Sequence, residues 1–125
     1  GRIYLIIFLF IPFFAKADFN WKKIGQNVNG SAFFVEKASI KRNSNKVFFY
    51  LLTDYNRPNN NVLSVTAYIE GNCNQYSWRF LKDIYYAEPM GNGDVIDTIN
   101  EVGEWNSSIK NSIMEKVMKY VCKFR

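Results

Sequence analysis

Residues 62–86 hold two runs of alternating apolar and polar residues separated by a short turn, and this pattern constrains the fold more than any other stretch. In the first run Leu63, Val65, Ala67 and Ile69 point one way and Ser64, Thr66 and Glu70 the other. In the second, Tyr76, Trp78, Phe80 and Ile84 stand against Gln75, Ser77, Arg79 and Asp83. A period of two belongs to a strand with one buried and one wet face. The turn between them, Gly71-Asn72, is too short for a crossover, so the strands pair antiparallel. Lys82 falls among the apolar set, which predicts a bulge or twist near it.

The flanking segments extend the sheet. Val47-Phe48-Phe49-Tyr50-Leu51-Leu52, within residues 46–53, is a β-branched and aromatic run too short for a typical helix. It suits a central strand buried on both faces. Residues 21–24 and 32–35 read as short strands around a turn centred on Asn29-Gly30. Residues 41–45 read as a polar turn and 54–61 as a loop. Residues 87–108 are loop-like, with Val95-Ile96 as a short strand. Aromatic residues make up 18% of the chain, in keeping with a β-rich fold.

The helix signal comes last. Ser112 and Glu115 have the spacing of a capping box, and Ile113, Val117, Tyr120 and Val121 recur on one helical face. Lys116, Lys119 and Lys123 lie off that face. The fold expected is α+β: an antiparallel sheet of five to six strands with a C-terminal helix packed on one face.

The amino-terminal stretch sets the compartment. Arg2, the apolar run at residues 3–14 and Ala15-Lys16-Ala17 have the order of a secretory signal peptide. The run is shorter than the roughly 20 residues that span a bilayer. The expected organisation is therefore a signal peptide at 1–17 and one domain at 18–125, with no stable membrane anchor after cleavage. In an oxidising compartment the two cysteines, Cys73 and Cys122, are expected to form a disulfide. Closing a loop of roughly 50 residues contributes about 4 kcal/mol in the chain-entropy model. The bridge would staple the helix to the sheet.

The same composition excludes several function classes. The chain has no histidine, so Ser-His triads, histidine bases and the usual zinc sets are absent. Asp94 with Asp97, and Glu101 with Glu104, read as solvated loop acids, because a spacing of three in a loop fixes no geometry across a substrate. Gly91-x-Gly93 lacks the third glycine and the helix of a dinucleotide site and reads as a turn. No enzyme, cofactor or metal site is expected. Cleavage at Ala17 lowers the net charge from +5 to +3, too small and too scattered for nucleic acid. The helix lysines with Arg125 form a basic edge, read either as a polyanion-docking surface or as an ordinary solvated face. Phe33, Phe34, Tyr50, Tyr55, Tyr85 and Tyr86 exceed what a thin sheet buries comfortably. They are read either as core and edge residues or as a patch for a protein partner or a second copy in a homodimer.

The order of these features resembles a known family. Trp21, Ser39-Ile40, Leu52-Thr53-Asp54-Tyr55, Ser64-Val65, Glu70, Cys73, Arg79-Phe80-Leu81, Tyr85-Tyr86, Gly91-Asn92-Gly93, Trp105, Ser112 and Cys122 follow one another as in the surface-adhesin protein E domain of Gram-negative bacteria. The resemblance spans about residues 20–122. It implies an antiparallel sheet whose C-terminal helix is held by the disulfide, and an exported envelope module that binds host extracellular-matrix or plasma proteins. The founding adhesin carries its lipid on a cysteine at the end of its signal, whereas this signal ends Ala15-Lys16-Ala17-Asp18. A soluble periplasmic structural or assembly-associated protein with no host ligand is therefore the alternative. Localisation is expected to be periplasmic, secreted or at the outer surface. No ligand-binding residue is transferred by the resemblance.

Overall fold

The structure, a computed structural model, describes residues 19–125. The segment read as a signal peptide lies outside the described residues. Eight strands precede one helix: β1 (Trp21–Gln26), β2 (Ala32–Glu36), β3 (Lys41–Asn43), β4 (Lys46–Asn59), β5 (Val62–Asn72), β6 (Ser77–Tyr86), β7 (Val95–Ile99), β8 (Asn106–Ser107) and α1 (Ile113–Val121). They form one antiparallel sheet of order β1-β2-β4-β5-β6-β7. β3 adds to the side of β4 next to β2, and β8 adds to β6 next to β7.

The strand count exceeds the expected five to six because two short polar segments also pair. Lys41-Arg42-Asn43, read as part of a turn, lies opposite Lys46, Val47 and Phe48 of β4. Backbone pairing at an exposed position asks for no apolar pattern, so composition conceals it. The expected loop at 54–61 is mostly strand as well. β4 runs on to Asn59 through an irregularity after Asp54, and Asn60-Asn61 alone make the turn, with φ of 49° and 67°. Two successive positive φ values belong to the tight hairpin turn that asparagine tolerates.

The central hairpin forms, with its turn displaced from Gly71-Asn72 to residues 73–76. Gly71 instead lies buried inside β5, where the helix comes closest. A Cβ there would fall 2.6 Å from Met118 Cε and 2.8 Å from Val47 Cγ1. The bulge expected near Lys82 is at Leu81, between the pairs Tyr68–Lys82 and Ile69–Phe80. It leaves Lys82 beside Tyr68 and turns Phe80 toward the helix.

The helix packs on the face carrying Val35, Val47, Phe49, Leu51, Ala67 and Ile69. Its contribution is Val117, Met118 and Val121, all fully buried, with Met114 partly so. Of the expected face Val117 and Val121 are fully buried, Tyr120 packs at the edge of the core as Met114 does, and Ile113 is half-buried; the addition is Met118, fully buried in the gap beside Val117. Unbranched methionine fits such an irregular gap. Ser112 Oγ accepts from Glu115 N–H at 3.2 Å, while Glu115 reaches back to the N–H of Asn111 at 3.1 Å. The capping residues are those expected, with the return bond one residue earlier. Cys73 and Cys122 are joined across a Cα–Cα distance of 5.6 Å, tying the helix end to the sheet. Beside them Arg42 donates to the carbonyls of Cys122 (2.8 Å) and Phe124 (3.1 Å). A guanidinium at a helix C-terminus satisfies orphan carbonyls and opposes the macrodipole.

Candidate binding face

The opposite face of the sheet carries no helix, yet the wet face expected of β5 is partly dry. Ser64 is 0% and Glu70 4% exposed. The cause at Ser64 is the segment after β6, which folds back over the sheet. Ser64 Oγ donates to the Glu88 carbonyl at 2.6 Å and accepts from Gly91 N–H at 2.8 Å. Asp54 Oδ1 accepts from Met90 N–H at 2.9 Å. Met90 and Gly91 both have left-handed backbone, with φ of 61° and 71°. A side chain at Gly91 would start 3.3 Å from Thr66 Cγ2, so the close approach itself requires glycine. A non-glycine residue at positive φ stores strain of the order of 1 kcal/mol, and the hydrogen bonds that Met90 and Gly91 N–H donate to Asp54 and Ser64 hold the segment in place.

This segment walls one side of a trough of about 670 Å³. The floor is Tyr50, Thr66, Ile84 and Tyr86, the wall is Met90 to Gly93, and Phe19 and Trp21 close the far side. The aromatic rings continue as a stripe. Phe19 lies 5.3 Å from Trp21 and 5.5 Å from Tyr50; Tyr50 lies 4.6 Å from Tyr68; Tyr68 lies 6.3 Å from Phe48. Register explains the alignment: Tyr50 pairs with Tyr68, which pairs with Lys82, and all three side chains share this face. Burial, and then the neighbouring Tyr50, push the Tyr68 phenol above its ordinary value. At the end of the stripe Glu70 is enclosed by Arg79 at 2.8 Å and Lys46 at 3.5 Å, and Arg79 lies over the Trp105 ring at 4.7 Å. Lys23 and Lys82 are exposed on the same face.

The six aromatics singled out from sequence divide by strand register. Tyr50 and Tyr86 line the trough and Phe34 shares their face, whereas Phe33, Tyr55 and Tyr85 lie on the helix side. Phe19, Trp21, Tyr68 and Met90 were not singled out. For Trp21 and Tyr68 the signal was there, as the same period of two that placed Tyr50. Met90 carried none, because it is placed by a loop. The helix lysines Lys116, Lys119 and Lys123 are exposed, Lys119 within 3.5 Å of Glu115. Asp94, Asp97, Glu101 and Glu104 are all exposed, Asp97 on an edge strand rather than in the expected loop.

The chain belongs to the surface-adhesin protein E family, whose model matches residues 21–123. That family implies an exported protein, and no helix among the described residues is long and apolar enough to cross a membrane. The fold is similar to that of Haemophilus influenzae protein E. One structure of that protein aligns with a TM-score of 0.62 at 18% identity, covering 82% of this chain and 83% of that one. Its crystal form II gives 0.62 at 17% identity, with 79% and 86% covered. Protein E from non-typeable Haemophilus influenzae gives 0.60 at 18% identity, with 82% and 75% covered. At this identity the likeness is one of fold. No curated protein matches the chain significantly in sequence.

Proposed function

We propose that this member of the surface-adhesin protein E family is an exported, non-catalytic module that binds a host matrix or plasma protein through its aromatic trough. The observation that supports the reading is the contiguous set of rings Phe19, Trp21, Tyr50 and Tyr68 beside a preformed concavity. Tyrosine and tryptophan are the residues that most often anchor protein interfaces, because they bring a large apolar surface with few torsions to freeze. Lys23 and Lys82 stand as cations at the rim, where they steer an acidic partner rather than supply most of the affinity.

The test is saturable binding of purified, oxidised protein to immobilised laminin and vitronectin, run with Trp21→Ala and Tyr86→Ala. Each substitution should weaken binding roughly tenfold or more if its ring is an anchor. Lys119→Ala, on the helix, should leave binding unchanged. Accessibility of the protein to added protease on intact cells is the companion measurement. Absence of binding together with a purely periplasmic location would favour the soluble structural or assembly-associated protein.

A further inference from the structure

A second concavity lies at the end of the sheet, where the turn between β1 and β2 meets the far half of β4. Its volume is about 530 Å³. The lining is polar where that of the trough is aromatic: four asparagines, one serine, one tyrosine and one arginine. A defect in the ladder builds it. β4 pairs with β5 as far as Asp54–Ser64 and resumes at Asn59–Val62, so residues 55–58 stand opposite Leu63 alone. Such a bulge releases a strand from its partner and re-aims its side chains. Here Tyr55, Asn56 and Arg57 come to line one cleft with the β1–β2 turn.

The two segments are latched together without a ligand. Asn56 N–H donates to Ser31 Oγ at 3.3 Å, and Asn56 Nδ2 donates to the Asn29 carbonyl at 3.2 Å. Asn27 Oδ1 accepts from the N–H groups of Asn29 and Ser31, both at 3.0 Å, which fixes the turn. A site ordered in advance spares its ligand the cost of ordering it. The latch leaves much of the lining unused. A carboxamide accepts on its oxygen and donates twice from its nitrogen. Among the described residues Asn27 Nδ2, Asn56 Oδ1 and the side chains of Asn29 and Asn59 make no hydrogen bond. Arg57 pairs with no carboxylate among them, and it is the one charged side chain of the lining.

This set has the chemistry of a sugar site. Neighbouring hydroxyls of a sugar each donate and accept, as carboxamides do. The Tyr55 ring offers a negative face to the polarised C–H groups of a pyranose. A guanidinium meets a carboxylate with two parallel hydrogen bonds. One cation suits one anionic group, whereas a polysulfated chain needs several, and no lysine lines the cleft. We propose that this cleft binds a carboxylated sugar, with Arg57 on the carboxylate and Asn27, Asn56 and Asn59 on the hydroxyls.

The experiment is titration of purified, oxidised protein, followed by amide NMR, with sialyllactose, with glucuronic acid and with lactose. The first two carry a carboxylate on different sugars, and lactose carries none. Free sugars are used, so the outcome does not depend on what the trough binds. Saturable shifts at residues 27–31 and 55–59 are expected with at least one carboxylated sugar, and which of the two binds identifies its source. Lactose should bind roughly tenfold or more weakly, since it lacks the charged hydrogen bonds. Arg57→Gln should weaken binding of the carboxylated sugar by about the same factor. Asn27→Asp keeps the oxygen that fixes the turn and loses the donor nitrogen, so it should weaken binding with the rest of the spectrum unmoved. Lys119→Ala should bind as the wild type does. No saturable shift with either carboxylated sugar, lactose binding equally well, shifts centred on the trough, or undiminished binding by folded Arg57→Gln would overturn the proposal.

Discussion

Asp83 shows how one side chain can oppose the fold that holds it. It lies opposite Ala67 on the helix side of the sheet, and among the described residues its Oδ1 is buried without a hydrogen-bond partner. Burial pushes its carboxyl above the ordinary range. The folded state therefore favours the protonated form. That stability is present below the unfolded value, near 3.9, and is lost as pH rises through the higher folded value. Asp83→Asn should accordingly raise the melting temperature at neutral pH and give little gain at acid pH, read as the difference between variant and wild type. A second readout is independent of stability. Burial raises the Tyr55 and Tyr85 phenols first, and the Asp83 charge raises them further. An alkaline absorbance titration of the variant should find both ionising at lower pH than in the wild type. Sequence placed Asp83 on the polar side of β6, and it was the burial of the helix side beyond the helix that gave the position its cost.

At the scale of elements the helix is the most conditional part. Nine residues fall short of the roughly 12–15 that make an isolated helix marginal in water, so docking, cap and cross-link must hold it. Ser112→Ala removes the acceptor for Glu115 N–H and should cost about 1 kcal/mol by denaturant unfolding. Val117→Asp places a carboxylate on a fully buried position and should cost far more, whereas Lys116→Asp should be tolerated. Cys122→Ser should cost about 2–5 kcal/mol, and peptide mapping without reductant should find Cys73 and Cys122 linked in the wild type. Arg42→Ala leaves the carbonyls of Cys122 and Phe124 without their charged donor and should cost about 1.5–3 kcal/mol. The elements legible in sequence were those with a period, such as β5, β6 and α1, or an unbroken apolar run, as in β4. Those concealed were β3, the far half of β4 and most of β7. Their residues are polar, prolyl or exposed, and they are strands because a neighbour supplies backbone partners. The disulfide was legible from compartment and count. The trough was not, because it depends on residues 88–93 folding over strands far away in sequence.

For the whole molecule, the arrangement of charge matters more than its sum. A net charge of +5 looks mild and scattered, yet it is the remainder of an acidic edge and a basic body. Lys23 and Lys82 stand exposed on the trough face, so a partner that docks there meets cations first. Charges at a rim act on encounter more than on retention. Lys23→Ala with Lys82→Ala should therefore slow association with the partner in low salt and leave dissociation nearly unchanged, and the difference from the wild type should shrink as salt rises to physiological strength. Equal association rates at both salt concentrations would mean that the rim cations take no part in binding.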